Sequence, residues 1–245
     1  MTQINSVSVG ADDALLLDIE GTVSPVAFVY DVMFPFIRDH LADFLEAHWE
    51  EPDVQAAIVL VGKDIGAPQH TSWPEGDALQ TRQQTVIQTV HELMDRDAKV
   101  TGLKQLQGLI WKDGFDNGQL VAELFPDVMP KLDQFRSVGI PLYIYSSGSI
   151  GAQKLFFGHT SEGNLLDWLA GHFDTTSGNK KESRSYERIS GEIGLPPQQI
   201  CFVSDVVAEL DAARQAGMRT ILRSESATAV SDHAQITTFD DIRLD

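Results

Sequence analysis

Leu15-Leu16-Leu17-Asp18-Ile19-Glu20-Gly21-Thr22 is the stretch from which the fold can be read. The apolar run from Ala14 to Leu17 stops abruptly at two acids one residue apart, followed by glycine. A fully apolar run this short reads as a strand buried on both faces, as in a parallel sheet. Ligands of open α/β sheets bind just beyond the carboxyl ends of the strands, which is where Asp18 falls. Gly21 allows a sharp turn and close approach of a ligand. The period of two turns Asp18 and Glu20 to one side and Ile19 to the other. Two such carboxylates repel each other unless positive charge lies between them. A hard cation with oxygen ligands supplies it, and Mg2+ is the common choice beside a phosphate. For Asp-x-Glu alone, a strand exit carrying two solvated acids is the alternative.

A chain of 245 residues can hold one large domain, or a core with a smaller insertion. Its 42% hydrophobic and 22% charged residues fit an ordinary globular protein. No apolar run approaches the roughly eighteen residues of a membrane-spanning helix. Met1 to Asp13 lacks the basic and apolar segments of a signal peptide. The single cysteine, Cys201, excludes an internal disulfide and reads as a small buried strand residue within Ile200-Cys201-Phe202-Val203. A cytoplasmic location is expected. The net charge of −18 argues against nucleic acid or an anionic membrane as partner. An anionic small molecule would have to be held by local positive charge against that field. A monomer is expected.

After the acidic pair, apolar residues recur with helical spacing at Phe36, Ile37, Leu41, Phe44, Leu45 and Trp49. Asp64 to Asp77 reads as a loop. Leu79 to Asp97 is predicted as a second helix, and a third carries Leu103, Leu106, Leu109 and Ile110 and ends near Gly114. Ala57 to Val61 is helical by context. A helical block of about ninety residues is too long for a crossover and reads as an inserted domain. The expected division is a core of residues 12–24 and 122–245, with an all-helical cap at 25–121.

Alternation follows. Helices are predicted at Asp127 to Val138, Ile150 to Phe157, Ser183 to Glu192 and Val207 to Ala216. Strands are predicted at Ile140 to Tyr145, around His172-Phe173-Asp174, at Ile200 to Val203 and at Arg219 to Leu222. The pattern is that of an α/β protein with a doubly wound parallel sheet.

Four strand exits, or loops just after them, carry polar chemistry: Asp18 and Glu20, Ser146 and Ser147, Lys180, and Asp205. In a parallel sheet they lie along one edge. Three carboxylates can hold one Mg2+. Hydroxyls and free backbone N–H groups at the start of a helix suit phosphate oxygens. A lysine supplies charge for a transferring phosphoryl group or a carboxylate nucleophile. Together they make a phosphoryl-transfer site. Singly, the serines could form a polar turn, Lys180 beside Lys181 could be surface charge, and Asp205 could cap a helix. The seven histidines show no metal spacing, and Trp49, Trp73, Trp111 and Trp168 read as packing residues.

Asp18 to Thr22, Tyr145 to Ser149, Lys180 and Ser204-Asp205 resemble the four signatures of the haloacid dehalogenase superfamily. More narrowly, the chain resembles the bifunctional enolase-phosphatase (acireductone synthase) family of methionine salvage. That likeness runs through Leu103 to Gly108, Tyr143 to Ser149, Ala152 to His159 and His172 to Thr175. Glutamate at position 20 is specific to it, since most of the superfamily has aspartate there. Val23 replaces the family's usual threonine, and Val59 to Gly76 departs most.

The resemblance implies a Mg2+-dependent enzyme, with one ion per subunit, acting on 2,3-diketo-5-methylthiopentyl-1-phosphate. Enolisation and phosphate hydrolysis through an aspartyl-phosphate would give the acireductone 1,2-dihydroxy-3-keto-5-methylthiopentene. Asp18 would be the nucleophile and, with Glu20 and Asp205, a metal ligand. Ser146, Ser147 and Lys180 would hold the phosphate, and the helical cap would cover the site and recognise the methylthio tail. Glu20 and an unassigned cap residue are both candidates for the enolisation base. Alternatives are a related phosphatase for another small phosphate ester, or a phospho-accepting receiver-like module. The length of the chain and its helical insertion disfavour the module.

Overall fold

The structure, a computed structural model, describes residues 8–67, 73–74, 76–224 and 231–245. The beginning of the Met1 to Asp13 segment, His70 and the middle of the Asp64 to Asp77 loop lie outside the described residues. Two compact units divide the chain. One runs up to Val29 and resumes as Val121–Asp245; the other is Tyr30–Leu120.

The first unit begins with β1 (Ser8–Val9) and β2 (Ala14–Leu17), and all four residues of β2 are buried. A π-helical stretch, Phe28–Met33, which apolar periodicity did not reveal, precedes α1 (Phe34–His48). The second unit is helical: α1, α2 (Pro52–Asp64), α3 (Leu79–Asp95) and α4 (Thr101–Asp116). Proline opens α2 at a position where its missing N–H costs nothing. Helix α3 stops two residues before the predicted end because Asp97 adopts φ 50°. The N–H groups of Asp97 and Ala98 turn back to the carbonyls of Met94 and Leu93.

Ile37, Leu41, Leu45, Val61, Val90 and Leu106 are fully buried in this unit. Helices α2 and α4 approach most closely at Gly102, where a Cβ would overlap the backbone nitrogen of Val61. The Gly102 N–H donates to the Asp64 carboxylate at 2.5 Å, so the end of α2 caps the start of α4.

The first unit resumes with α5 (Val128–Ser137), β3 (Leu142–Tyr145), α6 (Ile150–Gly158), β4 (Gly171–Phe173), α7 (Ser183–Ile193) and β5 (Ile200–Ser204). It closes with α8 (Val207–Gln215), β6 (Arg219–Arg223), β7 (Ala234–Ile236) and β8 (Arg243–Leu244). Strand β3 begins at Leu142, later than the predicted Ile140, because Pro141 has no N–H for a ladder. Its carbonyl still accepts from the Leu15 N–H. Strand β7 and the small parallel pair β1–β8 are additions to the predicted set. At two or three residues, they are too short to show a period.

The main sheet has the order β4-β3-β2-β5-β6-β7, and every pairing is parallel. Leu15 lies level with Leu142 on one side and Cys201 on the other. Burial pushes the Cys201 thiol up to about 12, so it stays an unreactive thiol. Successive strands are added outward from β2 on one side and then from β5 on the other. The winding reverses between β2 and β5, and the crevice for a ligand opens at their carboxyl ends. Asp18 follows β2 there, and Ser204 ends β5.

The close crossing in the helical unit gives a paired expectation. Gly102→Ala should destabilise the protein by about 2 kcal/mol through overpacking. Gly108→Ala, on the same helix with open space around it, should be neutral or stabilising by up to about 1 kcal/mol. Denaturant melts of the two variants check this, and equal effects would contradict the close crossing.

Candidate active site

Asp18 sits at the first position past β2, where its N–H donates to the Val203 carbonyl of β5. Its side chain is buried, and Oδ1 accepts from the Ile19 N–H at 2.8 Å. The Lys180 ammonium lies 2.6 Å from Asp18 Oδ1 and 2.6 Å from Glu209 Oε2. Ser204 Oγ stands 3.2 Å from Asp18 Oδ2 and 3.2 Å from Glu209 Oε2. Its single proton serves one of them at a time. These four side chains form one buried network drawn from β2, the loop after β4, β5 and α8.

The other predicted residues surround it. Ser146 is buried at the end of β3, and its Oγ lies 3.4 Å from Glu20 Oε2. The same hydroxyl accepts from the Gly148 N–H at 3.1 Å, which shapes the turn before α6. The Asp205 N–H donates to Thr22 Oγ1 at 3.1 Å. Gly21, at φ 72°, lies so close that a Cβ there would overlap the Asp205 carboxylate. The loop after β2 is thereby pressed against the end of β5. Ser147 is exposed and shares the wall of a cavity of about 390 Å³ with Lys180, Lys181, Asn179 and Glu209.

Glu209 is the residue that sequence reading missed. Its signal was its place one helical turn beyond Asp205, in the first turn of α8. Lys181, by contrast, is exposed, with its N–H bonded to the Asn179 side chain.

Negative charge exceeds positive here. Burial alone would lower the Lys180 pKa, but the Asp18 and Glu209 carboxylates outweigh it and hold it above the ordinary lysine value. Glu20 is raised by burial and then by the charge of Asp18, and Asp205 is raised by the same two causes. Among the described residues, no three His, Cys, Asp or Glu side chains converge as a metal-binding group. Asp18 is instead turned toward Lys180 and Ser204. Even so, Glu20 and Asp205, raised by burial and then by the charge of Asp18, stand with it beside one lysine, and oxygen donors of this kind fit a hard divalent cation.

A model of haloacid dehalogenase-like hydrolases matches residues 13–217. Enolase-phosphatase E1 of Pseudomonas aeruginosa (strain LESB58) is 45% identical over 232 residues, covering 95% of this chain and 98% of that protein. The chain belongs to the enolase-phosphatases of the haloacid dehalogenase-like hydrolase family. Enolase-phosphatase E1 of Aquifex aeolicus (strain VF5) is 43% identical over 94% of this chain and 99% of its own length. The crystal structure of the UTR4 protein of Saccharomyces cerevisiae superposes with a TM-score of 0.75 at 29% identity. That match covers 94% of this chain and 99% of the yeast chain.

Lys180→Met should lower turnover of a phosphate ester by at least about a hundredfold, because it removes the cation between two buried carboxylates. Lys181→Met, on the exposed neighbour, should stay within about twofold of the parent. Steady-state phosphate release, with thermal melts to confirm folding, separates the two. Equal activities would remove Lys180 from the chemistry.

Proposed function

We propose that this chain is a Mg2+-dependent enolase-phosphatase that converts 2,3-diketo-5-methylthiopentyl-1-phosphate to 1,2-dihydroxy-3-keto-5-methylthiopentene in methionine salvage. The observation that carries the reading is Asp18 held 2.6 Å from Lys180 at the crevice of the sheet, in a chain of the enolase-phosphatase family. Neutralised in part by that lysine, the Asp18 carboxylate is positioned as a nucleophile.

In this reading one Asp18 oxygen bonds to phosphorus while the bond from phosphorus to the ester oxygen breaks. The ester oxygen departs with the electron pair. Water then displaces the carboxylate from the aspartyl-phosphate, which releases inorganic phosphate and restores Asp18. Lys180 and the hydroxyls of Ser146 and Ser147 bind the phosphoryl oxygens as charge builds on them. Enolisation, which comes first, removes a proton from carbon beside a carbonyl. Within this unit Glu20 is the candidate base, a carboxylate one residue past Ile19 at the same strand exit as Asp18, with its pKa raised by burial and then by the charge of Asp18. Asp18, Glu20 and Asp205 would hold one Mg2+ per subunit, which supplies positive charge for the phosphate oxygens when bound.

We take Tyr30–Leu120 as the inserted cap and the remainder as the phosphatase core. Among the described residues, no helix is long and apolar enough to cross a membrane. A monomeric, cytoplasmic enzyme for a small phosphate ester is the accompanying proposal.

A panel of phosphate esters, with ultraviolet detection of an enediol, tests the reading. Phosphate release confined to the diketone phosphate, with a transient enediol, is expected. Asp18→Asn should lower phosphate release by at least about a thousandfold, with enediol still forming. Near-normal release by this variant would exclude Asp18 as the nucleophile.

Chelation should abolish turnover and Mg2+ should restore it, because the carboxylates of this edge outnumber its one lysine and leave a bound phosphate facing uncompensated negative charge. Ca2+, which prefers longer bonds and more ligands, should restore it poorly. Full activity in excess chelator, with no metal retained, would refute the metal assignment.

A further inference from the structure

Three consecutive carbonyls in the loop that carries Lys180 each accept a hydrogen bond from a side-chain hydroxyl. Tyr145, at the end of β3, donates to the Gly178 carbonyl at 3.1 Å. Ser185 and Tyr186, in the first turn of α7, donate to the carbonyls of Asn179 and Lys180, each at 2.7 Å. Tyr145 and Tyr186 are fully buried, and Ser185 nearly so.

We infer that Tyr145, Ser185 and Tyr186 form a hydroxyl clamp on residues 178–180 that positions the Lys180 ammonium against Asp18. They act as positioning residues for the proposed phosphatase reaction, so the inference rests on that reading.

Packing alone does not call for these hydroxyls. The rings of Tyr145 and Tyr186 meet edge to face with centroids 5.5 Å apart, and Tyr186 packs on Phe202 at 5.2 Å. Phenylalanine would supply the same rings without placing a polar atom in the core. A buried hydroxyl is costly unless bonded, and here the partners are the backbone of one loop. Ser185 also blocks that loop from the side. Gly178 stands at φ 131°, and a Cβ there would overlap Ser185 Oγ.

The loop has to be rigid because of what it carries. A lysine stem has several freely rotating bonds, and its charge is placed only if its backbone is placed. Tyr145 contributes twice, since the Lys180 ammonium also lies 5.7 Å from the centre of its ring. One residue thus holds the backbone of the loop and lies against the charge that the loop delivers.

Tyr186→Phe deletes one hydroxyl and keeps the ring. In the parent enzyme it should lower kcat/KM for phosphate release roughly tenfold, the effect of one lost buried hydrogen bond. In a Lys180→Met background it should have no further effect, because a clamp acts through the lysine. An equal loss in both backgrounds would make Tyr186 a general stabilising residue and overturn the inference. Ser185→Ala carries the same cycle if Tyr186→Phe does not fold.

Amide hydrogen exchange at residues 178–181 gives a readout independent of turnover. Exchange at least about tenfold faster in Tyr186→Phe is expected, and unchanged exchange would overturn the clamp. If Lys180→Met keeps parental turnover, the functional reading of Lys180 fails on its own. The exchange measurement still decides whether the clamp exists.

Discussion

An ammonium group buried between two carboxylates governs the working edge of this protein. Taking Lys180 out of water costs several kcal/mol, and that cost is offset only by partners of opposite charge in close, well-aligned contact. Asp18 and Glu209 supply two such contacts at 2.6 Å each. They come from opposite ends of the sequence, so the contact can exist only when the end of β2, the start of α8 and the loop after β4 are all in place. Ser204 links the two carboxylates from the end of β5 and closes the network.

The sheet makes this meeting possible. Parallel strands send all their carboxyl ends to one edge, and the reversal of winding between β2 and β5 leaves a gap in the cover there. Side chains on either flank of that gap converge without any long loop. Two glycines tighten the convergence. Gly21 and Gly178 both hold positive φ at points where a Cβ would strike the facing side chain, Asp205 in one case and Ser185 in the other.

The balance of charge also explains how an acidic chain can handle a phosphate ester. A net charge of −18 opposes an approaching anion, and four of the carboxylates behind it lie at this edge of the sheet. One lysine does not balance four carboxylates, and the charge of Asp18 adds to burial in raising the carboxyls of Glu20 and Asp205. A divalent cation would offset most of that excess and put positive charge beside the phosphate oxygens, which makes metal loading and phosphate binding parts of one electrostatic problem.

By itself the sequence determined where the strands end and which polar residues follow them. Asp18 and Glu20, Ser146 and Ser147, Lys180 and Asp205 could be placed on one edge because a buried parallel strand is legible as a short apolar run, and its carboxyl end as the polar residues that stop it. The helices were legible for a similar reason, since a periodic stripe spans many residues. What escaped were features with no local signature. Strand β7 is only three residues long, and α3 ends early on the backbone conformation of one aspartate. Glu209 was not marked out from the other acids, yet it is buried and paired with Lys180. Tyr145 was legible only as the end of a strand and Tyr186 had no signal of its own, and only the tertiary structure aims their hydroxyls at the Gly178 and Lys180 carbonyls. Sequence pattern reports which side chains leave water. Which buried polar atoms then meet is decided by packing between segments far apart in the chain, because each such atom must find its partner there or not be buried at all.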